Sequence, residues 1–194
     1  NGQRQLLRAV AGVGPSLPDL IVSEPVAFIS EDRTTEGLIP SFTLAENLVL
    51  GLMDDPRWAR GPWLDWPAAE RRMAELIPAF GIRAAGPRAP ARSLSGGNQQ
   101  KVVFARALER RPAVLVAENP TRGLDVHAAA AVHRRLRESA RAGAGVLVYS
   151  PDLDEVLSLA TRVVVMFRGE ILHPPLRADR ETVGALMLGA AGER

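Results

Sequence analysis

Three short, almost wholly apolar runs set the frame for this chain: VAFIS at 26–30, AVLVAE at 113–118 and GVLVYS at 145–150. They do not alternate apolar with polar residues, so they do not read as strands with one face in water. Such runs suit strands buried on both faces, the habit of parallel sheets. Helical patterns lie around them. Leu6, Leu7, Val10 and Val13 recur at helical spacing in a segment that reads as a helix to about Gly12. SGGNQQKVVFARALER at 95–110, DVHAAAAVHRRLRESARA at 125–142 and LDEVLSLA at 153–160 read as further helices, and VVVMFRGEIL at 163–172 as a hairpin. Strand-helix alternation of this kind predicts an α/β fold, a parallel sheet covered by helices on both faces. Ligands of such sheets bind at the carboxyl ends of the strands, where Glu31, Glu118, Asn119, Ser150 and Pro151 stand.

Residues 34 to about 92 have a different character. TLAENLVLGL, 43–52, is a capped amphipathic pattern, AAERRMAELIPAF, 68–80, is a second helix despite Pro78, and the proline-rich GPRAPARS closes the segment. This reads as a helical insertion between strands. Trp58, Trp63 and Trp66 fit aromatic packing of a loop onto that lobe better than a ligand-stacking set. The tail from about Leu176 to Arg194 carries one more weak helical pattern and no readable role.

Charge narrows the partners. The sequence pI is 9.9, yet the formal net charge is only +2. Lys101 is the only lysine, Tyr149 the only tyrosine, and there is no cysteine, so almost nothing loses a proton between neutral pH and the arginine range. The high pI therefore reflects missing titratable groups. Arginines are spread beside acidic residues along the chain, which argues against nucleic acid as a partner. The absence of cysteine also excludes a disulfide framework and a thiolate metal site. No apolar run reaches the roughly 18 residues needed to span a bilayer.

The residues that carry chemistry begin at LSGGNQQ, 94–100. Ser95 is placed to cap a helix, Gly96 and Gly97 let backbone approach a ligand closely, and the free N–H groups of a helix start suit a phosphate oxygen. The apolar run to Glu118 follows that helix, and PTRGLD follows the run. Taken in this order, the chain resembles the ATP-binding subunits of ABC transporters. LSGGNQQ resembles the signature motif, AVLVAEN the Walker B strand, GLD (Gly123, Leu124, Asp125) the D-loop, and VLVYSPDLDEV the region of the switch histidine. Leu94, Ser95, Gly96, Gly97, Asn98 and Gln99 are then the residues that would meet a nucleotide held by an opposing half. With NGQ at the start and Glu31-Asp32-Arg33 after the first strand, the resemblance narrows to the second ATP-binding half of tandem subunits that energise simple-sugar and nucleoside importers.

That resemblance implies a P-loop NTPase core formed by 1–33 and 111–194, with a helical subdomain at 34–110. It also implies a start truncated before the first strand and most of the phosphate loop. The implied cofactors are ATP and Mg2+. The implied partners are a companion N-terminal ATP-binding half, transmembrane permease subunits and, indirectly, a substrate-binding protein. The expected place is peripheral, on the cytoplasmic face of the membrane. A soluble, non-transport ATP-binding switch of the same superfamily is the alternative, and co-purification with membrane subunits or with ribosomes separates the two.

Departures from the family's pattern fall on one nucleotide face. Gly2, Gln3 and Arg4 stand in the phosphate loop, where the family uses a lysine to reach the β and γ phosphates. Glu118 stands where an aspartate holds magnesium, and is the candidate metal ligand. Asn119 stands where a glutamate polarises the attacking water; an amide is no base, and loss of a general base forfeits on the order of 10² to 10⁴ in rate. A register that makes Glu118 the base instead is disfavoured, because neighbouring strand residues point to opposite faces. Pro151 takes the place of the switch histidine. Glu31 replaces the neutral glutamine-loop amide, serving magnesium or water, or else pairing with Arg33. His127, His133 and His173 read as ordinary surface residues. The signature and D-loop are intact, so the expectation is a half that completes its partner's ATP site in trans and carries a degenerate site in cis. AENPTRGLDV, the switch loop without histidine and FRGEI resemble the nucleoside branch more than the ribose branch.

Overall fold

The computed structural model describes residues 1–15, 17–50, 52, 55–60, 63–176 and 178–189. At its centre are three parallel strands, β1 (Val26–Ile29), β4 (Val114–Glu118) and β5 (Gly145–Tyr149), in the order β1-β4-β5. Val26 to Ile29 pair with Val114 to Ala117, and Val114 to Glu118 pair with Gly145 to Tyr149. The register brings all three carboxyl ends to one edge. Leu115, Val116, Ala117 and Glu118 are all buried, as an unbroken apolar run covered on both faces requires.

Helix α1 (Gln3–Val10) packs across β4 and β5. It ends two residues earlier than its apolar spacing suggests, because Gly12 takes a φ of 69° and closes the helix in the left-handed region. The segment after β1 opens with an unforeseen π-helical turn, Arg33–Gly37. Helix α2 (Leu44–Val49) starts with a full capping box between Thr43 and Glu46. Its expected continuation at Gly51 lies outside the described residues. Asn47, wholly buried, accepts from the Ile39 N–H at 2.9 Å and donates to the carbonyls of Ile39 and Thr43 at 3.0 Å, which fastens the preceding loop to the helix.

A small antiparallel pair, β2 (Ala59–Arg60) with β3 (Trp63–Leu64), leads into α3 (Trp66–Ala79). Ala69, Met73 and Leu76 form the buried stripe of α3, and Pro78 sits in its last turn, so the bond it cannot donate is lost only at the end of the helix. The tryptophans divide: Trp58 is in the core, whereas Trp63 is 76% exposed, so the three are no stacking set. Helix α4 (Gly96–Glu109) returns beneath β1. Glu109, buried at its last turn, meets Arg57 and Arg72, each at 2.9 Å, and ties the helical segment to the core.

After β4 come α5 (Val126–Arg141), β5, α6 (Leu153–Leu159), the hairpin β6 (Val165–Phe167) with β7 (Glu170–Leu172), and α7 (Arg180–Met187). The hairpin turns through Arg168 and Gly169, both at positive φ, as a two-residue turn between twisted strands demands. One cluster of buried side chains runs from Ile29 on β1 through Leu48 and Met73 to Phe104 and Leu136. Among the described residues no helix is long and apolar enough to cross a membrane.

Candidate functional site

The edge where β1 and β4 end is occupied by a cluster of charged side chains supplied by four elements. Arg4 and Arg8, four residues apart, share one face of α1 and point at that edge. Arg4 Nε donates to Glu118, and Arg4 Nη2 lies 3.0 Å from Glu31 Oε1. Arg8 Nη2 donates to Glu36 at 2.8 and 2.9 Å and lies 3.6 Å from Glu118 Oε2. Arg122, in the turn after β4, lies 3.3 Å from Glu31. Asn119 Nδ2 donates to Glu31 at 3.2 Å, and Ser30 donates to Glu36.

Burial sets the electrostatics. Glu118 is 0% exposed at the end of β4, and a carboxylate taken out of water persists as a charge only beside a cation. The hydrogen bond from Arg4 to Glu118, helped by the field of Glu31, raises the Arg4 pKa above its ordinary value, against a smaller loss to desolvation. Arg8 is raised by its hydrogen bonds to Glu36. Glu36 is held below the usual carboxylate range, first by the Ser30 hydroxyl and then by Arg8.

The structure gathers most of the residues read as the nucleotide face in cis. Arg4, Glu31, Glu118 and Asn119 meet directly, and Gly2 and Gln3 stand at the start of the helix that carries Arg4. The pairing of Glu31 differs from the reading with Arg33: Glu31 is bound by Arg4 and Arg122. Asn119 takes a φ of 43°, so the chain turns sharply at the strand end while its N–H still donates to the Tyr149 carbonyl at 2.7 Å. Pro151 stands apart from the carboxylates. It lines a cleft of about 170 Å³ with Gln3, Leu7, Val148 and Met166.

The residues read as facing a partner stand at another place. Ser95 precedes α4, its Oγ accepts from Asn98 Nδ2 at 3.0 Å, and Asn98 Oδ1 accepts from the Arg83 N–H at 2.8 Å. Leu94 is buried, Gln99 donates to the Ala91 carbonyl at 3.1 Å, and Gly97 faces Ala128 on α5. Gly123 turns at a φ of 67°, Leu124 packs on the core, and Asp125 caps α5 by accepting from the Ala128 N–H at 2.8 Å. Arg33 joins the two places: its guanidinium lies against Gly96 and donates to the Arg122 carbonyl at 3.2 Å.

Sequence reasoning missed Arg8, Glu36 and Arg122. The four-residue spacing from Arg4 would have found Arg8, but Glu36 reaches the site only through the π-helical turn, which no motif announces. It also misjudged His133, whose Nε2 lies 2.6 Å from Oε1 of the buried Glu155; the same oxygen accepts from Thr121 Oγ1 at 2.7 Å.

A magnesium ion at Glu118, the expectation from the resemblance, does not fit this arrangement. Arg4 already occupies one carboxylate oxygen, and the other, buried without a hydrogen-bond partner, faces Arg8 at 3.6 Å. A dication placed there gains attraction from the carboxylate and meets repulsion of similar size from guanidinium groups at similar distance. Among the described residues no group of three or more acidic or histidine side chains is disposed to hold a metal.

Comparison with known proteins agrees with the fold and with the family that the motifs resemble. The ABC transporter family model matches residues 20–122, more than half of the chain. The nucleoside import ATP-binding protein NupA of Lactococcus lactis is 35% identical over 97% of this chain and 41% of its own length. The ribose import ATP-binding protein RbsA of Halalkalibacterium halodurans is 37% identical over 80% of this chain and 31% of its own length. This chain thus spans less than half the length of the relatives it matches. Among solved structures, the ATP-binding cassette MJ0796 in a dimeric post-hydrolysis state bound to ADP and Pi superposes with a TM-score of 0.69 at 20% identity, over 89% of this chain and 80% of that one.

Proposed function

Because the chain belongs to the ABC transporter family, we propose that it is one nucleotide-binding half of an importer ATPase whose own site is catalytically degenerate. Membership in the family implies nucleotide binding, with Mg2+ typical of it. In this reading the chain energises uptake of a nucleoside or simple sugar, the cargoes named for NupA and RbsA. It is the second half of a tandem pair, with a core at 1–33 and 111–194 and a helical subdomain at 34–110. It packs head to tail with a companion ATP-binding half beneath permease subunits, peripheral to the membrane.

One observation carries the reading: at the end of β4, Glu118 is bound by Arg4, and the next side chain, Asn119, is an amide hydrogen-bonded to Glu31. At that strand end Glu118 is engaged by Arg4, and Glu31 by Arg4 and Arg122, so neither is placed as a general base. The described parts of the signature, by contrast, leave the N–H groups at the start of α4 without intrahelical partners, suited to a phosphate held by the opposite half. Ser95, Gly96 and Gly97 then grip the γ-phosphate in trans, and Leu124 and Asp125 lie at the contact between halves. The non-transport alternative draws no support from NupA and RbsA, import proteins by name.

Steady-state ATP hydrolysis tests it. The isolated chain should turn over at background with Mg2+, whereas the assembly with its companion half hydrolyses ATP and loses that activity on Ser95→Arg but keeps it on Asn119→Ala. Robust Mg-dependent turnover by this chain alone would sink the reading.

A further inference from the structure

We infer that the Arg4 guanidinium is the resident cation of this site, so that the site takes a nucleoside triphosphate free of a divalent ion. The inference rests on the nucleotide-binding reading above and adds what that site requires of its ligand. In nucleotide sites built around magnesium, the ion bridges a strand-end carboxylate and the phosphate oxygens. Here the bridging place is held by a side chain. Arg4 binds Glu118 through Nε and Glu31 through Nη2 at 3.0 Å, yet its side chain is 49% exposed. A guanidinium has five N–H donors in a planar fork, so donors remain for phosphate oxygens after the two carboxylates are served. An ammonium group has no such second edge.

Charge count points the same way. Arg4, Arg8 and Arg122 meet Glu31, Glu36 and Glu118, three cations against three carboxylates, and Asp32 is a further acid whose field reaches Glu36. The two carboxylates at the place of the ion, Glu118 and Glu31, are each compensated by arginines already. Both oxygens of Glu118 face arginines, one bonded to Arg4 and the other 3.6 Å from Arg8. A magnesium ion would therefore have to displace Arg4 from one oxygen or Arg8 from beside the other to reach the carboxylate. A triphosphate, in contrast, brings negative charge to the half of Arg4 that stays open.

The purified chain is first titrated with MnCl2 in the absence of nucleotide. The wild type should show no calorimetric binding at millimolar metal and no metal-dependent rise in melting temperature. Arg4→Gln, with Arg4→Met as a second variant, leaves Glu118 and Glu31 without their shared cation, and each should gain a Mn2+-dependent rise. Metal binding by the wild type, or folded variants that stay silent to Mn2+, overturns the inference. A fluorescent N-methylanthraniloyl ATP is then titrated with EDTA or with MgCl2 present. The two affinities should agree within about twofold, whereas tightening by about tenfold on adding Mg2+ overturns the inference and leaves the nucleotide reading standing. Failure of the analogue to bind under either condition overturns the nucleotide reading instead, and the MnCl2 titrations still decide whether Arg4 excludes the ion.

Discussion

Arg33 lies against Gly96: a β-carbon placed on Gly96 would stand 2.5 Å from Arg33 Nη2 and 3.1 Å from the guanidinium carbon. The same Nη2 lies 3.9 Å from where a β-carbon on Gly123 would be, and Nη1 donates to the Arg122 carbonyl at 3.2 Å. One side chain from the turn after β1 thus touches the start of α4 and the turn after β4. These are the elements whose sequence resembles the signature and the D-loop, so Arg33 links the cis charge cluster to the surface proposed to face a partner.

Alanine at Gly96 improves the helix by up to about 1 kcal/mol, while its methyl pushes aside the flexible end of Arg33. The two effects nearly cancel, and Gly96→Ala should change stability by less than about 1 kcal/mol. In an Arg33→Ala background the clash is gone, and the same substitution should stabilise by roughly 0.5–1 kcal/mol. A double-mutant cycle in urea measures the difference. A coupling energy of zero would mean that Arg33 is not held against the helix start.

At Asn119 the backbone enters the left-handed region, with a φ of 43°. Asparagine tolerates this better than most residues, and glycine better still. Both Asn119→Gly and Asn119→Ala remove the hydrogen bond to Glu31, so their comparison isolates the backbone. The alanine variant should be less stable than the glycine variant by about 1 kcal/mol in chemical unfolding. Equal stability would mean the turn relaxes at no cost.

The sheet was legible because its signal is local. Unbroken apolar runs at 26–30, 113–118 and 145–150 became β1, β4 and β5, and helices opened where Thr43 and Asp125 cap them and after Ser95, whose hydroxyl bonds Asn98 instead of capping the backbone. Arg4, Glu31, Glu118 and Asn119 could be named because motif order places them at strand and helix ends. Their pairings could not. Glu31 chose Arg4 and Arg122 over the adjacent Arg33 because α1 crosses the strand ends, a relation set by packing between distant segments. Glu36 entered through a π-helical turn, and His133 found a buried acceptor 22 residues away.

Glu36 supplies a pH dependence. Its folded pKa lies below the ordinary glutamate value of 4.5, through the Ser30 hydroxyl first and Arg8 second. A depressed carboxylate stabilises the fold fully above its unfolded pKa, and that contribution disappears as the pH falls through the lower folded value. The wild type should therefore lose stability on acidification below about pH 4.5, and Glu36→Gln should be less stable than wild type at neutral pH, with a shallower acid limb. Melting temperatures from pH 7 downward measure both, and parallel curves would exclude Glu36 as a source of the slope.

Glu155 closes the link between the turn after β4 and the helix that follows Pro151. Its Oε1 accepts from Thr121 at 2.7 Å and lies 2.6 Å from His133 Nε2, and the side chain is 6% exposed. Removing that carboxylate strands two polar groups at once. Glu155→Ala should cost about 2–4 kcal/mol, the range for a buried acceptor whose donors are left behind. Thr121→Val, which removes one donor and keeps the other bond, should cost about 1 kcal/mol. The loss should also be felt locally: amide hydrogen exchange at Asn119 and Leu124, bonded to Tyr149 and Thr121, should quicken in Glu155→Ala before the rest of β4. If exchange there is unchanged while global stability falls, Glu155 acts on the packing of α5 and α6 alone, and the turn that carries Asp125 is held by its own backbone.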